Sequence, residues 1–241
     1  MYINYSAVSN CGKVRSANQD IFAINEHFFY SERQQSQSAD KLELNTVLYF
    51  SVFDGMGGES YGAKAAQLAS KTICGIYKMS KNIDPLQICM AMNRSVCEYM
   101  QINGIKSMGT TSAFAIFTPN EVQLCNIGDS RIYRVSKKGF EQLSEDHSEQ
   151  FGLLPSRRLL TQHLGIPPEE LVIEPFCCKI PLCKNDRYLL CTDGLTDMVT
   201  DEEIYQIICQ NKTEQIGEVL VDAALKNGGR DNITAIICEV E

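Results

Sequence analysis

The chain has 241 residues, enough for one large domain or two small ones, and a fold of this size buries roughly 70% of its extended surface, so core volume does not limit it. Its formal net charge is -8, which argues against nucleic acid or an anionic membrane as the main partner and suits cation binding. No basic segment followed by an apolar core opens the chain and no later apolar run is long enough to span a bilayer, so a soluble cytoplasmic protein is expected.

The 11 cysteines include no C-x-x-C pair and mostly alternate with aliphatic residues, as reduced core thiols do. Cys177, Cys178 and Cys183 come nearest to a zinc cluster, but their spacing fits no common site.

In chain order, Ile3 to Val8 and Ile21 to Ile24 have strand character and flank a polar loop, Gly12 to Asp20, that carries Arg15 and Asp20. Ser31 to Glu43 is polar and without periodicity, which reads as a mobile surface loop. Thr46 to Phe53 is a β run that delivers Asp54 into a glycine-rich loop, Gly55-Met56-Gly57-Gly58. Glycines there let the backbone approach a ligand closely.

Helical periodicity follows, with Ala65, Leu68, Ala69, Ile73 and Ile76 on one face. The pair Asp84-Pro85 starts a second helix that buries Leu86, Cys89, Met92, Val96 and Tyr99. Gly109 to Phe117 and Glu121 to Ile127 form a hairpin through Thr118-Pro119-Asn120, and Arg131 to Val135 continues it after the turn at Gly128-Asp129-Ser130. From His147 to Pro168, past Pro155 and the pair Arg157-Arg158, the pattern is irregular. Strands resume at Leu171 to Cys178 and Arg187 to Cys191, the latter running into Thr192-Asp193-Gly194. Helices at Asp201 to Gln210 and Thr213 to Lys226 precede Arg230-Asp231-Asn232 and a last strand, Ile233 to Val240. No repeat or linker divides the chain.

Asp20, Asp54, Asp129, Asp193 and Asp231 all sit where a strand meets a turn. Singly, each is ordinary turn chemistry. Together, such a set could converge, and like charges converging without a cation would be strongly destabilising.

The order of motifs carries a resemblance. Arg15-x-x-Asn-Gln-Asp20, Asp54-Gly-Met-Gly-Gly58, Gly109-Thr-Thr111, Asn126-Ile-Gly-Asp-Ser-Arg131, Leu143-Ser-Glu-Asp-His-Ser148, Cys191-Thr-Asp-Gly-Leu195 and Gly229-Arg-Asp-Asn232 span nearly the whole chain. Together they resemble the metal-dependent PP2C-type (PPM) serine/threonine phosphatases in their bacterial form. The resemblance implies an α+β fold, a four-layer α-β-β-α sandwich of two mainly antiparallel sheets flanked by helix pairs. It implies one domain over 1-241 with a short flap-like excursion at about 145-168.

The implied activity is hydrolysis of phosphoserine and phosphothreonine on proteins, reversing a Ser/Thr kinase, with two Mn²⁺ or Mg²⁺ ions and room for a third. Matched motif by motif, Asp54 bridges both ions with the Gly55 carbonyl beside it. Asp193 and Asp231 complete one ion, Asp20 serves the other directly or through its waters, and Asp129 with Asp193 suits the third. Asn232 orients Asp231, and Arg15 holds the phosphate. Asp54, Asp193 and Asp231 are then the catalytic set. The expected partners are phosphoproteins and a cognate kinase, with no nucleic acid and no membrane, and the chain is expected to be a monomer. Alternatives keep the site but change the substrate, to one dedicated regulator phosphoprotein or a small phosphate ester, or keep the sandwich as a non-catalytic binding module.

Two departures stand out. Animal members have a histidine, proposed as the leaving-group acid, where this chain has Met56, and methionine cannot donate that proton. The segment between Leu143 and Leu164 is shorter than the usual flap, and His147 and His163 within it read as structural or surface residues.

Overall fold

A computed structural model of the chain describes residues 1–56, 61–80, 84–150 and 158–241. Gly57, Gly58, Pro155, Arg157 and the side chain of Arg158 lie outside the described residues. The first half runs β1 (Tyr2–Asn10), β2 (Ile21–Ile24), β3 (His27–Phe29), β4 (Ser36–Glu43), β5 (Leu48–Phe53), β6 (Gly55–Met56), α1 (Tyr61–Met79) and α2 (Pro85–Asn103). Next come β7 (Gly109–Thr110), β8 (Ser112–Phe117), β9 (Glu121–Ile127), β10 (Arg131–Ser136), β11 (Gly139–Gln142), β12 (Ser148–Gln150) and β13 (Arg158–Leu160). The chain closes through β14 (Phe176–Pro181), β15 (Arg187–Cys191), α3 (Asp193–Thr196), α4 (Asp201–Gln210), α5 (Thr213–Lys226) and β16 (Ile233–Val240).

Two six-stranded antiparallel sheets result, one in the order β11-β10-β15-β16-β1-β4 and the other β14-β9-β8-β5-β2-β3. Their central strands are apolar on both faces, because each face meets a different layer. On β5, Leu48, Phe50 and Val52 face the core between the sheets, whereas Tyr49 and Phe53 face α1 and α2. On β16, Ile236, Cys238 and Val240 face the same central core, whereas Ile233, Ala235 and Ile237 pack under α4 and α5. Alternation with period two on both sheets therefore generates the α-β-β-α layering. Edge-to-face contacts run through the centre from Tyr5 to Phe50 to Phe117 to Tyr188, with ring centroids 5.4, 5.6 and 5.3 Å apart. Among the described residues no helix is long and apolar enough to cross a membrane.

Four expectations shift. Arg131–Ser136, read as continuing the β8–β9 hairpin, crosses instead to the other sheet, where it pairs with β15 from Arg131↔Cys191. Ser36–Glu43, read as part of a mobile loop, is an edge strand paired with β1 from Tyr2↔Glu43 to Ser9↔Ser36. Its signal was hidden because an edge strand with one solvated face needs only backbone partners and a few inward residues such as Leu42. The strand read over Leu171 to Cys178 begins at Phe176, where register with β9 starts at Phe176↔Asn126, and Leu171 and Val172 are exposed. On α2 it is Ile88, not Leu86, that is buried beside Cys89 and Met92.

A carboxylate-lined candidate active site

The loops at one end of the sandwich surround a cavity of about 990 Å³ lined by Asp54, Asp129, Asp193 and Asp231, with Arg15 and Gly55 beside them. Each aspartate arrives at the end of a strand. Asp54 follows β5, and its backbone is clamped: its N–H donates to Thr111 Oγ1 at 3.1 Å, and its carbonyl accepts from Thr111 N and Thr110 Oγ1 at 2.9 and 2.8 Å. Gly55 must be glycine, because a Cβ there would lie 2.4 Å from the backbone of Gly62 in α1. Asp193 opens α3 just after β15, and Gly194 behind it admits no side chain, since a Cβ would come within 1.8 Å of the Asn232 carbonyl.

Asp231 precedes β16, where its Oδ1 accepts from the Asn232 N–H at 2.8 Å and its Oδ2 from Arg15 Nη2 at 2.6 Å. Asn232 thus orients Asp231 through its backbone N–H, while its side chain has a second task. It accepts from Gln19 N–H at 2.8 Å and donates to the carbonyls of Cys11 and Ala17 at 2.9 and 3.0 Å, pinning the loop that carries Arg15. Asp20 is fully buried and lies outside the cavity lining, its Oδ2 accepting from Thr192 Oγ1 and Thr234 Oγ1 at 2.8 and 2.7 Å.

The electrostatics are those of crowded, desolvated acids. Burial pushes Asp20 up to about 7, against the two threonine hydroxyls that favour its charged form. Asp193 rises to about 8 through burial and the charges of Asp129, Asp197 and Asp231. Asp54 goes well above the usual carboxylate range through burial and then Asp20, Asp193, Asp129 and Asp231, and burial also raises Asp129. Among the described residues, Asp20 Oδ1 and Asp193 Oδ1 find no hydrogen-bond partner although both are buried. Buried anionic oxygens left unpaired are expensive, and a hard divalent cation is the group that fits them. Among the described residues no three His, Cys, Asp or Glu side chains close on one ion as they stand. Mg²⁺-like ions keep several waters and take only one or two carboxylates each, which this arrangement provides.

The two histidines part company. His147 packs behind the Gly128-Asp129 turn, with its backbone N–H on the Gly128 carbonyl at 2.9 Å and Nδ1 accepting from Gly128 N–H at 3.2 Å, as a structural residue would. His163 was missed. It lines the cavity beside Met56, with Nδ1 on the Leu164 carbonyl at 2.9 Å, and burial lowers its affinity for a proton. The signal available was its place three residues beyond β13, in the stretch where Leu164 bridges back to Thr110.

The sequence pattern of protein phosphatase 2C matches residues 31–229. The chain belongs to the protein phosphatase 2C family. Within that family it is 30% identical over 214 residues to the serine/threonine phosphatase Stp of Listeria monocytogenes, covering 78% of this chain and 82% of that protein. It superposes on the catalytic domain of PstP, solved in complex with two manganese ions, with a TM-score of 0.78 and 26% identity over 100% of this chain and 99% of that one. The Streptococcus agalactiae serine/threonine phosphatase gives a TM-score of 0.81 at 25% identity, over 99% of this chain and 100% of the other. The protein phosphatase 2C fold thus extends across this chain.

Proposed function

We propose that this chain is a serine/threonine protein phosphatase that hydrolyses phosphoserine and phosphothreonine on proteins, working with two Mn²⁺ or Mg²⁺ ions. The observation that carries the reading is the convergence of Asp54, Asp129, Asp193 and Asp231 on one cavity with Arg15 at its edge. Family membership gives the reaction class, and the manganese bound by PstP gives the cofactor.

Asp54, the Gly55 carbonyl, Asp193 and Asp231 would hold the two ions, with Asp20 acting from behind and Asp129 with Asp193 available to a third. Two such ions supply a nucleophilic hydroxide at neutral pH and offset the charge of the phosphate. The chain's own groups do the positioning. The threonine clamp fixes the direction in which Asp54 enters, Asn232 fixes the Arg15 loop, and the planar guanidinium of Arg15 meets phosphate oxygens in a bidentate manner. Residues 1-241 work as one catalytic domain in which Leu159, Leu160 and His163 line one side of the cavity. The chain acts as a monomer in the cytoplasm on proteins phosphorylated by a cognate kinase.

The test is a panel of phosphothreonine and phosphoserine peptides with and without Mn²⁺, on the wild type and Asp193→Asn. We expect turnover that stops with chelator and is lost by at least about 10²-fold in the variant, on the scale of removing one electrostatic contact to the transition state. Turnover that survives exhaustive chelation, or an Asp193→Asn enzyme at wild-type rate in saturating Mn²⁺, overturns the assignment. Turnover confined to small phosphate esters would move the substrate and keep the site.

A further inference from the structure

Three cysteines outside the acidic cavity meet where the second sheet packs against α2. Cys125 on β9 stands directly opposite Cys177 on β14, and Cys89 approaches from the second turn of α2. Cys89 and Cys125 share one buried cluster beneath the helices, and the register of β14 on β9 sets Cys177 on the same face as Cys125. Cys89 and Cys125 are buried, whereas Cys177, on an edge strand, is exposed. Cys178 is not part of the group, since it packs against the core between the sheets. A metal does not explain the cluster, because its three thiols do not close on one ion as they stand and no histidine joins them.

Opposed residues in an antiparallel pair have Cα atoms about 4.5–5.5 Å apart and side chains on one face. A disulfide bond spans about 4.4–6.8 Å between Cα atoms, so this register already meets its main demand. We propose that Cys177 and Cys125 are a peroxide-sensitive pair that closes into a disulfide across β9 and β14. Accessibility divides the labour, with exposed Cys177 meeting the oxidant and buried Cys125 resolving. The proton affinities agree. A hydrogen bond from Cys125 lowers that of Cys177, against burial and the charge of Asp84, while burial and the two neighbouring sulfurs push Cys125 well up.

The Cys177 thiolate attacks one oxygen of hydrogen peroxide, forming an S–O bond and breaking O–O, and the departing hydroxide takes a proton to become water. Cys125 sulfur then gives up its proton, forms the S–S bond and expels the second oxygen as water. Two thiols lose two hydrogens in total, and one peroxide becomes two waters. The fixed register of β9 and β14 compensates the reluctance of Cys125 to ionise, since a positioned partner reacts at high effective concentration. The bond closes the chain from residue 125 to 177, a loop that contains Asp129 and His163. Cross-linking so long a loop restricts the unfolded chain, so the oxidised protein should unfold at higher temperature.

The experiment treats the full chain with sub-millimolar hydrogen peroxide, then compares intact mass, thiol titration and a non-reducing peptide map. We expect loss of two hydrogens, two fewer reactive thiols, and one linked peptide joining Cys125 to Cys177 that dithiothreitol releases. Cys177→Ser, at an exposed site, should keep the reduced wild-type melting temperature and lose the link, while Cys89→Ala should retain it. A Cys125–Cys89 link, an intermolecular dimer, conversion of Cys177 to sulfinic acid with no link, or no reaction in the folded chain each overturns the proposal.

Discussion

Arg15 and Asp231 sit 2.6 Å apart at the cavity edge, with side chains 58% and 37% exposed, so solvent screens their attraction and the pair contributes less than about 1 kcal/mol to stability. In the proposed reaction the worth of Arg15 is what it offers a phosphate. Losing one charge-assisted contact of about 1.5–3 kcal/mol predicts that Arg15→Ala lowers kcat/KM about ten- to a hundred-fold with little change in Tm. Mn²⁺ affinity should hold or tighten, because the variant removes a competitor for the Asp231 carboxylate. Lysine should rescue only in part, since a point charge replaces a planar fork. Metal affinity that collapses along with catalysis would make Arg15 a structural residue instead. At this scale the aspartates were legible, because each stands at a strand end inside a motif. His163 was not, because a lone histidine in an irregular segment carries no spacing, and its place in the cavity depends on the Leu164 to Thr110 bridge. The second task of Asn232, pinning the Arg15 loop, was hidden for a similar reason: its side-chain partners Cys11, Ala17 and Gln19 lie more than two hundred residues away in sequence.

Among the elements, α3 starts on a cavity-lining aspartate and α4 on a capping box. Gly194 in α3 faces the Asn232 carbonyl so closely that an alanine Cβ, 1.8 Å from it, cannot fit without backbone movement. Gly194→Ala should therefore pry Asp193 from Asp231 and cut kcat/KM by at least about 10²-fold, the cost expected of a misplacement near 1 Å. Thr200 caps α4 in a capping box, accepting from Glu203 N–H at 3.3 Å while Glu203 Oε2 accepts from Thr200 N–H at 2.9 Å. Thr200→Ala should cost about 1 kcal/mol in denaturant unfolding and leave kcat/KM unchanged. Equal effects of the two substitutions on kcat/KM would sink this division. The helices were readable because caps and periodicity are local. Edge strands were not: β4 and the true start of β14 are set by register with β1 and β9, which no window of sequence contains.

On the scale of the whole molecule, the sandwich assembles like-charged acids that its own packing disfavours, and stability should trade against activity there. The folded chain holds Asp20 at about 7 and Asp193 at about 8, against a starting value of 3.8, with Asp54 also raised. A carboxyl whose folded value lies above its unfolded one binds more protons folded than unfolded between the two. Its contribution is complete below about 4 and lost as pH rises through about 7 to 8. Divalent cations reverse the sign by favouring the ionised acids, so binding releases protons. The gain in Tm on adding Mn²⁺ should thus be small at pH 5 and grow towards pH 8. Asp193→Asn removes one of these charges at nearly constant volume, so without cation at pH 8 it should raise stability by about 0.5–2 kcal/mol while abolishing turnover. The measurement is a set of melting curves for both proteins across that pH range, with Mn²⁺ or with chelator. A Mn²⁺-induced shift independent of pH, or an Asp193→Asn protein less stable than wild type in chelator, would mean that these acids are held apart by hydrogen bonds rather than crowded by charge.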